Sequence, residues 1–255
     1  MRTKSALITG GAGNLAVEYA MALQSEGYHV IMADLQLAPL RKRVAGFEGL
    51  NPDFLTLESF DVSDEASVKK AAARIHKTYD QLNVLINNAQ YTHPKDSVPF
   101  EDLDVKLWNQ ILKVNLTGTF LCCKYFGSQM AKGSGGSIIN IASIYASLAP
   151  DFSIYNDITR LSSSVYSASK SGIIGLTKYL SSYWADQNIR INCISPGGMD
   201  TGLDETFKEA YSRRVPMKRM GRPSELQGII SWLAGEKSSY VTGQNFYIDG
   251  GLSVW

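Results

Sequence analysis

The chain contains 255 residues, of which 44% are hydrophobic and 19% are charged, a balance typical of a globular protein with a substantial core. Its formal net charge of +1 gives no electrostatic reason to expect a nucleic acid or an anionic membrane as a partner. The basic run Arg41–Arg43 is short and is expected on a solvated helix face. No apolar segment approaches the ~20 residues of a membrane span, and no signal-peptide pattern precedes the first apolar segment. We therefore expect a soluble, cytoplasmic protein.

The cysteines and histidines give no sign of a disulfide framework or a metal site. Cys122 and Cys123 are adjacent in one apolar segment and Cys193 lies in another, so buried, reduced thiols are expected. The three histidines are scattered along the chain, and no metal is predicted.

Short apolar segments alternate along the chain with longer segments of helical periodicity. From the N-terminus, the apolar segments predict strands at Ser5–Thr9, His29–Ala33, Phe54–Phe60, Val84–Ile86, Ser137–Ile141, Ile189–Ile194 and Asn245–Asp249. The longer segments predict helices at Leu15–Ser25, Leu37–Ala45, Ser63–Tyr79, Leu103–Met130 and Tyr166–Asp186. Strands that are apolar throughout and separated by helices indicate a parallel sheet covered on both faces. Because no linker or repeat divides the chain, residues 1–255 are predicted to form a single α/β domain, a doubly wound parallel sheet of the Rossmann type.

A glycine-rich turn, Thr9 to Ala16, joins the first predicted strand to the first predicted helix. Small residues allow backbone N–H groups to approach a dinucleotide pyrophosphate at a helix N-terminus. Gly10, Gly13, Asn14 and Leu15 are the candidate contacts in this turn. A glycine pattern alone is a weak signal, but its place between a strand and a helix strengthens it.

Asp34 ends the second predicted strand, about 20 positions after the turn, where the dinucleotide-binding motif has an acidic residue. Its carboxylate would accept hydrogen bonds from the adenosine ribose hydroxyls and repel a 2′-phosphate. The turn contains no lysine or arginine to offset that repulsion. The sequence therefore favours NAD over NADP as the cofactor.

Further motifs follow the turn along the whole chain. They are Asp61-Val62, Asn87-Asn88-Ala89, Asn115, Ser143, Tyr166-x-x-x-Lys170, Pro196-Gly197 and Asp249-Gly250-Gly251. With the turn, this series resembles the short-chain dehydrogenase/reductase family over essentially the full length of the chain. The resemblance implies an enzyme that moves a hydride between a nicotinamide and a carbonyl or alcohol.

The predicted catalytic residues are Ser143, Tyr166, Lys170 and Asn115. Tyr166 and Lys170 stand four positions apart, so both project from one face of a predicted helix. By the resemblance, Tyr166 is the acid or base, and Lys170 lowers its pKa and binds the nicotinamide ribose. Ser143 would hydrogen-bond the substrate oxygen, and Asn115 would support a water-linked proton path.

The same resemblance implies further cofactor contacts and a lid. The contacts are Asp61 and Val62 at the adenine, Asn88 and Ala89 near the sheet centre, and Pro196, Gly197, Met199 and Thr201 beside the nicotinamide. Residues 202–222 are expected to form a mobile substrate lid. Their arginines and lysines indicate either an anionic substrate or a solvated helix.

Three residues depart from the family pattern. Asn14 and Ala16 stand where the family's turn has glycines, and Gln90 follows Ala89 where the family has glycine. The Asn14 side chain is expected to crowd the approach of a phosphate, so these changes are expected to weaken cofactor binding. None of them removes a predicted catalytic group.

The separation between Ser143 and Tyr166 is longer than the family's usual spacing. Tyr155 fits the usual spacing, but Thr159 rather than a lysine stands four residues after it. Tyr166 is therefore the better candidate, and residues 148–164 are an insertion beside the active site. The polar side chains of the insertion either contact a hydroxylated substrate or form a subunit contact.

The preferred function is an NAD-dependent oxidoreductase that interconverts a secondary alcohol and a ketone on a sugar or another polyhydroxylated small molecule. A ketone reductase of the steroid or acyl-carrier-protein type is the alternative enzyme. A noncatalytic NAD-binding sensor or scaffold is the alternative from another class. Apolar faces on the helices predicted at Leu103–Met130 and Tyr166–Asp186 favour a homo-oligomer, a tetramer or a dimer, as the family commonly forms.

Overall fold

The computed structural model describes residues 4–155 and 163–254. Within these ranges, seven strands form one sheet: β1 Ser5–Thr9, β2 His29–Asp34, β3 Leu55–Ser59, β4 Val84–Asn87, β5 Gly136–Ile141, β6 Ile189–Pro196 and β7 Asn245–Ile248. All neighbours pair in parallel, in the order β3-β2-β1-β4-β5-β6-β7. The predicted doubly wound α/β fold is confirmed, and every predicted strand lies within about two residues of its observed bounds.

Helices cover both faces of the sheet. They are α1 Ala16–Ser25, α2 Leu37–Ala45, α3 Glu65–Tyr79, α4 Val105–Leu112, α5 Gly118–Cys122, α6 Ser128–Lys132, α7 Ser164–Tyr183, α8 Glu205–Arg214 and α9 Gln227–Ala234. On one face, buried side chains of α1 and α9 pack against alternate residues of the central strands. On the other face, α3, α5 and α7 pack against the intervening residues. This two-sided burial explains why the strands are apolar throughout.

Two of the helices begin directly after an aspartate whose side chain caps the helix N-terminus. α3 begins at Glu65 because the Asp64 side chain accepts hydrogen bonds from the next backbone N–H groups. The helix predicted from Leu103 begins at Val105 for the same reason, with Asp104 as its cap. It then continues from α4 to α6 through two π-helical turns, Lys113–Thr117 and Cys123–Gly127, which the hydrophobic pattern does not reveal. α9 has no counterpart among the predicted helices.

The order of the strands reverses between β1 and β4, so the loops that follow these strands diverge and leave a crevice. Gly10, in the first of these loops, has a φ of +66°, and a Cβ there would lie 2.6 Å from the Ala89 Cα. Only glycine fits this contact. The topology therefore brings the glycine-rich turn against the loop after β4.

No helix in residues 4–155 and 163–254 is both long and apolar enough to span a membrane. The three cysteine thiols are buried, and none forms a disulfide.

Candidate active site

The glycine-rich turn is anchored to the end of β4. The Asn88 amide donates to the backbone carbonyls of Thr9, at 3.1 Å, and Gly10, at 3.0 Å. The Thr9 hydroxyl accepts hydrogen bonds from the backbone N–H groups of Asn88 and Ala89, both at 3.2 Å. These bonds fix the turn in place, so Asn88 lies beside the turn and Ala89 packs behind it.

Asp34 lies on the far side of the same turn. One of its carboxylate oxygens accepts a hydrogen bond from the Ala12 N–H at 2.9 Å, and the other accepts from the Leu35 N–H at 2.7 Å. The carboxylate is thereby held at the end of β2, at the place the dinucleotide motif requires.

Arg43 also reaches the turn, although the sequence predicts that Arg41–Arg43 lies on a solvated face. Arg41 is exposed as expected, but Arg43 is half-buried. Its Nη2 donates to the Asn14 Oδ1 at 2.7 Å, and its Nε donates to the Ala12 carbonyl at 3.1 Å. The cause is the register of α2, because fully buried Leu40, three residues earlier on the same face, packs toward the turn. Arg43 is therefore less solvated than the sequence predicts, whereas Arg41 and Lys42 are exposed as predicted.

A cavity of about 320 Å³ connects this turn with Ser143 and Tyr166. The predicted site residues that line it are Gly10, Gly13, Asn14, Leu15, Asp34, Asn88, Ser143, Tyr166, Pro196, Gly197, Met199 and Thr201. Gln90, Ile141 and Ala142 also line it, and of these only Gln90 is expected from the sequence. The structure thus brings residues from the ends of most strands to one continuous cavity.

Tyr166 and Ser143 meet at the inner end of this cavity. Ser143 follows β5 and caps the short helix Ile144–Ala146, where its hydroxyl accepts from the Tyr145 N–H. Burial raises the pKa of Tyr166, and a hydrogen bond with the Ser143 side chain acts in the opposite direction. The neighbouring Tyr155 raises the pKa of Tyr166 further. Tyr166 is therefore held as a neutral phenol near neutral pH.

Lys170 lies beneath Tyr166 and does not line the cavity. Its ammonium donates to the Ile141 carbonyl at 2.8 Å and lies 5.6 Å from the centre of the Tyr166 ring. Burial lowers the pKa of Lys170 to about 8. Burial is the largest influence on the pKa of Tyr166 and raises it, and the predicted lowering of that pKa by Lys170 stays a prediction.

Asn115 lies within the first π-helical turn and is fully buried. Its side chain accepts from the Tyr91 N–H at 2.7 Å and donates to the Ser169 hydroxyl at 3.3 Å. The same hydroxyl donates to the Tyr166 carbonyl at 2.7 Å. Asn115 therefore ties the loop after β4 to the helix that carries Tyr166.

Two predicted adenine contacts are outside the cavity lining. Asp61 is half-buried and accepts from the Ser63 N–H. Val62 packs against Gly118, where an added Cβ would lie 2.9 Å from a Val62 methyl group. Both follow β3 at the same edge of the sheet as Asp34.

A second cavity of about 500 Å³ is built from the insertion and α8. It is lined by Tyr145, Leu148, Ala149, Asp151, Ile154, Tyr211, Arg214 and Leu252. Asp151 and Arg214 form an ion pair across it. Tyr145 joins Tyr155 by a hydrogen bond between their hydroxyls at 3.0 Å. Residues 156–162 of the predicted insertion, including Thr159, lie outside the described residues.

The basic residues of the predicted lid are divided between two environments. Arg219 and Arg222 form ion pairs with Glu225, and neither arginine lines the first or the second cavity. Arg214 alone of the lid's arginines lines the second cavity in the described part of the chain. A solvated position therefore accounts for Arg219 and Arg222, and not for Arg214.

Comparison with known proteins decides the family. A family model described as Enoyl-(Acyl carrier protein) reductase matches residues 10–253. The chain belongs to the short-chain dehydrogenase/reductase family. A 3-oxoacyl-(acyl-carrier-protein) reductase of Thermotoga maritima is 33% identical over 255 residues, with 98% of each chain covered. A D-threitol dehydrogenase of Mycolicibacterium smegmatis is 30% identical, covering 98% of this chain and 93% of the relative.

Solved structures of this short-chain dehydrogenase/reductase family are also similar. A gluconate 5-dehydrogenase of Burkholderia cenocepacia, in complex with NADP and tartrate, superposes with a TM-score of 0.84. It is 28% identical, and the match covers 100% of this chain and 97% of that one. The family resemblance of the sequence is confirmed, and the protein is an oxidoreductase of a family that binds a nicotinamide cofactor.

Proposed function

We propose that this protein is an NAD(H)-dependent short-chain dehydrogenase that interconverts a secondary alcohol and a ketone on a sugar or another polyhydroxylated small molecule. One observation carries the proposal. A single cavity is lined at one end by the glycine-rich turn and Asp34, and at the other by Ser143 and Tyr166. Cofactor phosphates, cofactor ribose and a reacting carbonyl therefore have fitting partners within one connected space.

The residues that line this cavity fit a nicotinamide dinucleotide, which when bound supplies or accepts the hydride. Gly10, Gly13, Asn14 and Leu15 would hold its pyrophosphate, and Asp34 its adenosine ribose. The other proposed contacts are Asp61, Val62, Asn88, Ala89, Tyr166, Lys170, Pro196, Gly197, Met199 and Thr201. The carboxylate of Asp34 is the reason for proposing NAD(H) as the preferred form.

Tyr166 is the proposed proton donor and acceptor. In ketone reduction, the carbonyl carbon receives the hydride and the carbonyl oxygen receives the phenolic proton of Tyr166. In alcohol oxidation, both transfers run in reverse. Ser143 would hydrogen-bond the same oxygen and stabilise the charge that develops on it.

Lys170 and Asn115 have supporting roles in this proposal. Lys170 would bind the nicotinamide ribose and place a positive charge beneath the tyrosinate that forms during oxidation. Asn115 would position the helix that carries Tyr166 through Ser169 and support a proton path to solvent.

The second cavity supports a polar substrate. Tyrosine hydroxyls and the Asp151–Arg214 pair can exchange hydrogen bonds with hydroxyl or carboxylate groups, while Leu148, Ile154 and Leu252 limit its size. Relatives named D-threitol dehydrogenase and gluconate 5-dehydrogenase have polyhydroxylated substrates in their names, which agrees with this cavity chemistry. The predicted lid at residues 202–222 would close over such a substrate, and residues 148–155, the described first part of the insertion, would contact it.

One relative favours a second candidate function. The Thermotoga maritima protein is named as a reductase of 3-oxoacyl groups on an acyl carrier protein, and its identity to this chain is 33%. The proposed chemistry at Tyr166 would be the same, so a substrate comparison distinguishes the two functions.

We also propose a cytoplasmic, single-domain protein that forms a homo-oligomer, a dimer or a tetramer. Tyr179 and Tyr183 stack on the surface of α7 with ring centres 6.1 Å apart, and both are largely exposed. Phe120, on α5, adds a third exposed aromatic ring. Aromatic groups of this kind are common in subunit interfaces.

The test is an oxidation screen with NAD⁺ and NADP⁺ separately against sugar alcohols and sugar acids, following the reduced nicotinamide by absorbance. A 3-oxoacyl thioester is assayed in the reduction direction as the competing substrate. Turnover of a polyol or sugar acid with NAD⁺ supports the proposal. Turnover of the thioester alone supports the second candidate, and cofactor binding without any turnover supports a noncatalytic sensor.

A further inference from the structure

The Tyr211 hydroxyl, on α8, is bonded to the segment that follows β6. It accepts a hydrogen bond from the Gly198 N–H at 2.6 Å. Gly197 and Met199, the neighbours of Gly198 in the chain, line the first cavity together with Thr201. Tyr211 itself is 4% exposed and lines the second cavity. One phenol therefore forms part of the second cavity and bonds a segment that forms part of the first.

Two glycines allow the phenol to approach this segment. A Cβ on Gly198 would lie 2.7 Å from the Tyr211 Cζ, and a Cβ on Gly197 would lie 3.3 Å from the Tyr211 Oη. Because the phenol packs so closely, a side chain at Gly198 would displace the ring. The two glycines and the phenol thus form one fitted contact.

The segment has a second attachment that does not depend on Tyr211. The Gly221 N–H donates to the Gly198 carbonyl at 2.9 Å, and the Asp200 N–H donates to the Gly221 carbonyl at 2.8 Å. These backbone bonds should keep the segment folded if the Tyr211 hydroxyl is removed. Loss of the hydroxyl leaves the Gly198 N–H without this acceptor, so the segment should shift rather than unfold.

We propose that Tyr211 is a positioning residue that holds the segment after β6 against the nicotinamide. In the proposed function, on which this inference rests, Gly197, Met199 and Thr201 contact the nicotinamide. A hydrogen bond that fixes Gly198 restricts the residues on either side of it, so less ordering is required when the nicotinamide binds. Tyr211 thereby contributes to nicotinamide affinity through the position of Gly198.

A packing role alone has a different consequence. Tyr211 belongs to a buried cluster with Ile154, Val215 and Met220, and phenylalanine would preserve that packing. If packing were its only role, Tyr211→Phe would bind every ligand as the wild type does. If the variant damaged the whole cofactor site, its affinity would fall equally for ligands with and without a nicotinamide. A selective loss for ligands with a nicotinamide therefore separates positioning from both.

The experiment is calorimetric titration of the full-length protein with NADH and with ADP-ribose, which has the same pyrophosphate and riboses but no nicotinamide. The variants are Tyr211→Phe and, as the matched control, Tyr145→Phe, which removes another tyrosine hydroxyl of the second cavity. The wild type should bind NADH more tightly than ADP-ribose. Tyr211→Phe should lower NADH affinity by about three- to tenfold and leave ADP-ribose affinity unchanged. Tyr145→Phe should leave the ratio of the two dissociation constants at its wild-type value.

Three outcomes overturn the inference while the proposed function stands. The first is a wild type that binds NADH no more tightly than ADP-ribose. The second is a Tyr211→Phe variant whose affinities for both ligands fall equally or do not fall. The third is an equal change of the ratio in Tyr145→Phe. A folded wild type that binds neither ligand overturns the proposed function as well, and the oxidation screen tests that function separately because the titrations involve no turnover.

Discussion

The Lys170 ammonium lies 5.6 Å from the centre of the Tyr166 ring and donates its hydrogen bond to the Ile141 carbonyl. The lysine therefore supplies positive charge below the ring and is not bonded to the phenol oxygen. Burial raises the pKa of Tyr166 above its ordinary value. Near neutral pH the phenol is protonated, which suits ketone reduction, whereas alcohol oxidation requires its deprotonation and should accelerate as pH rises.

Tyr155 provides a way to move that pH dependence. Because its electrostatic interaction raises the pKa of Tyr166, Tyr155→Phe should lower that pKa and shift the alkaline limb of the oxidation rate to lower pH. The phenyl ring keeps the contact with Phe207. The measurement is kcat/KM for alcohol oxidation against pH, with Tyr179→Phe, at an exposed tyrosine of α7, the helix that carries Tyr166, as the control. A shift to higher pH in Tyr155→Phe contradicts the account.

Burial of Lys170 should reduce stability in a pH-dependent way. Its folded-state pKa of about 8 lies below the ordinary value of a lysine, so above pH 8 the unfolded chain binds more protons than the folded chain. The contribution of Lys170 to the free energy of unfolding should therefore rise between pH 8 and about 10, by about 3 kcal/mol in total.

Urea unfolding of the wild type and Lys170→Met across this range measures the difference. The variant should be inactive but at least as stable as the wild type at pH 7. As pH rises, the free energy of unfolding of the wild type should increase relative to that of the variant. Lys178→Met, at an exposed position of the same helix, is the control. A stability difference that is independent of pH would show that Lys170 titrates normally.

The position of the glycine-rich turn should depend on the hydrogen bonds of the Asn88 side chain. Asn88→Ala removes two hydrogen bonds to the turn carbonyls, so we expect the free energy of unfolding to fall by about 1–3 kcal/mol and the affinity for NADH to fall with it. Thermal unfolding with and without NADH gives both quantities. Asn109→Ala, at an exposed position of α4, should change neither. Unchanged NADH affinity in Asn88→Ala would mean that the turn is held by other contacts.

The Asp151–Arg214 pair should affect substrate binding more than folding. Both side chains are partly exposed, so breaking the pair should change the free energy of unfolding by less than about 1 kcal/mol. Arg214→Met and Asp151→Asn should instead raise KM for a polar substrate with a smaller change in kcat. Steady-state kinetics with the double variant tests whether the two effects are coupled. Wild-type KM values in both single variants would exclude the second cavity as the substrate site.

Much of the fold and site follows from local patterns in the sequence. The strands are buried on both faces, so their apolar segments are continuous and easily recognised. Ser143 and Tyr166 both follow β5, and they reach the cavity that the glycine-rich turn after β1 also lines because parallel strands deliver their following segments to the same edge of the sheet.

Other features depend on tertiary contacts that leave no local signal. Arg43 belongs to a basic run that is typical of a solvated helix face, and its bonds to Ala12 and Asn14 depend on how α2 packs beside the turn. The π-helical turn that aims Asn115 at Tyr91 and Ser169 does not alter the hydrophobic pattern. Likewise, the direction in which the pKa of Tyr166 shifts depends on how deeply the phenol is buried. The four-residue spacing between Tyr166 and Lys170 does not predict that burial.

The most direct test of the central claim compares the wild type with Tyr166→Phe in two assays, NADH binding and turnover of the best substrate from the oxidation screen. Loss of the proton-transferring hydroxyl should lower kcat by about 10²–10⁴-fold while NADH still binds. This result would show that Tyr166 acts in the chemical step and not only in cofactor binding. Turnover by Tyr166→Phe at the wild-type rate, with NADH bound, would contradict the account.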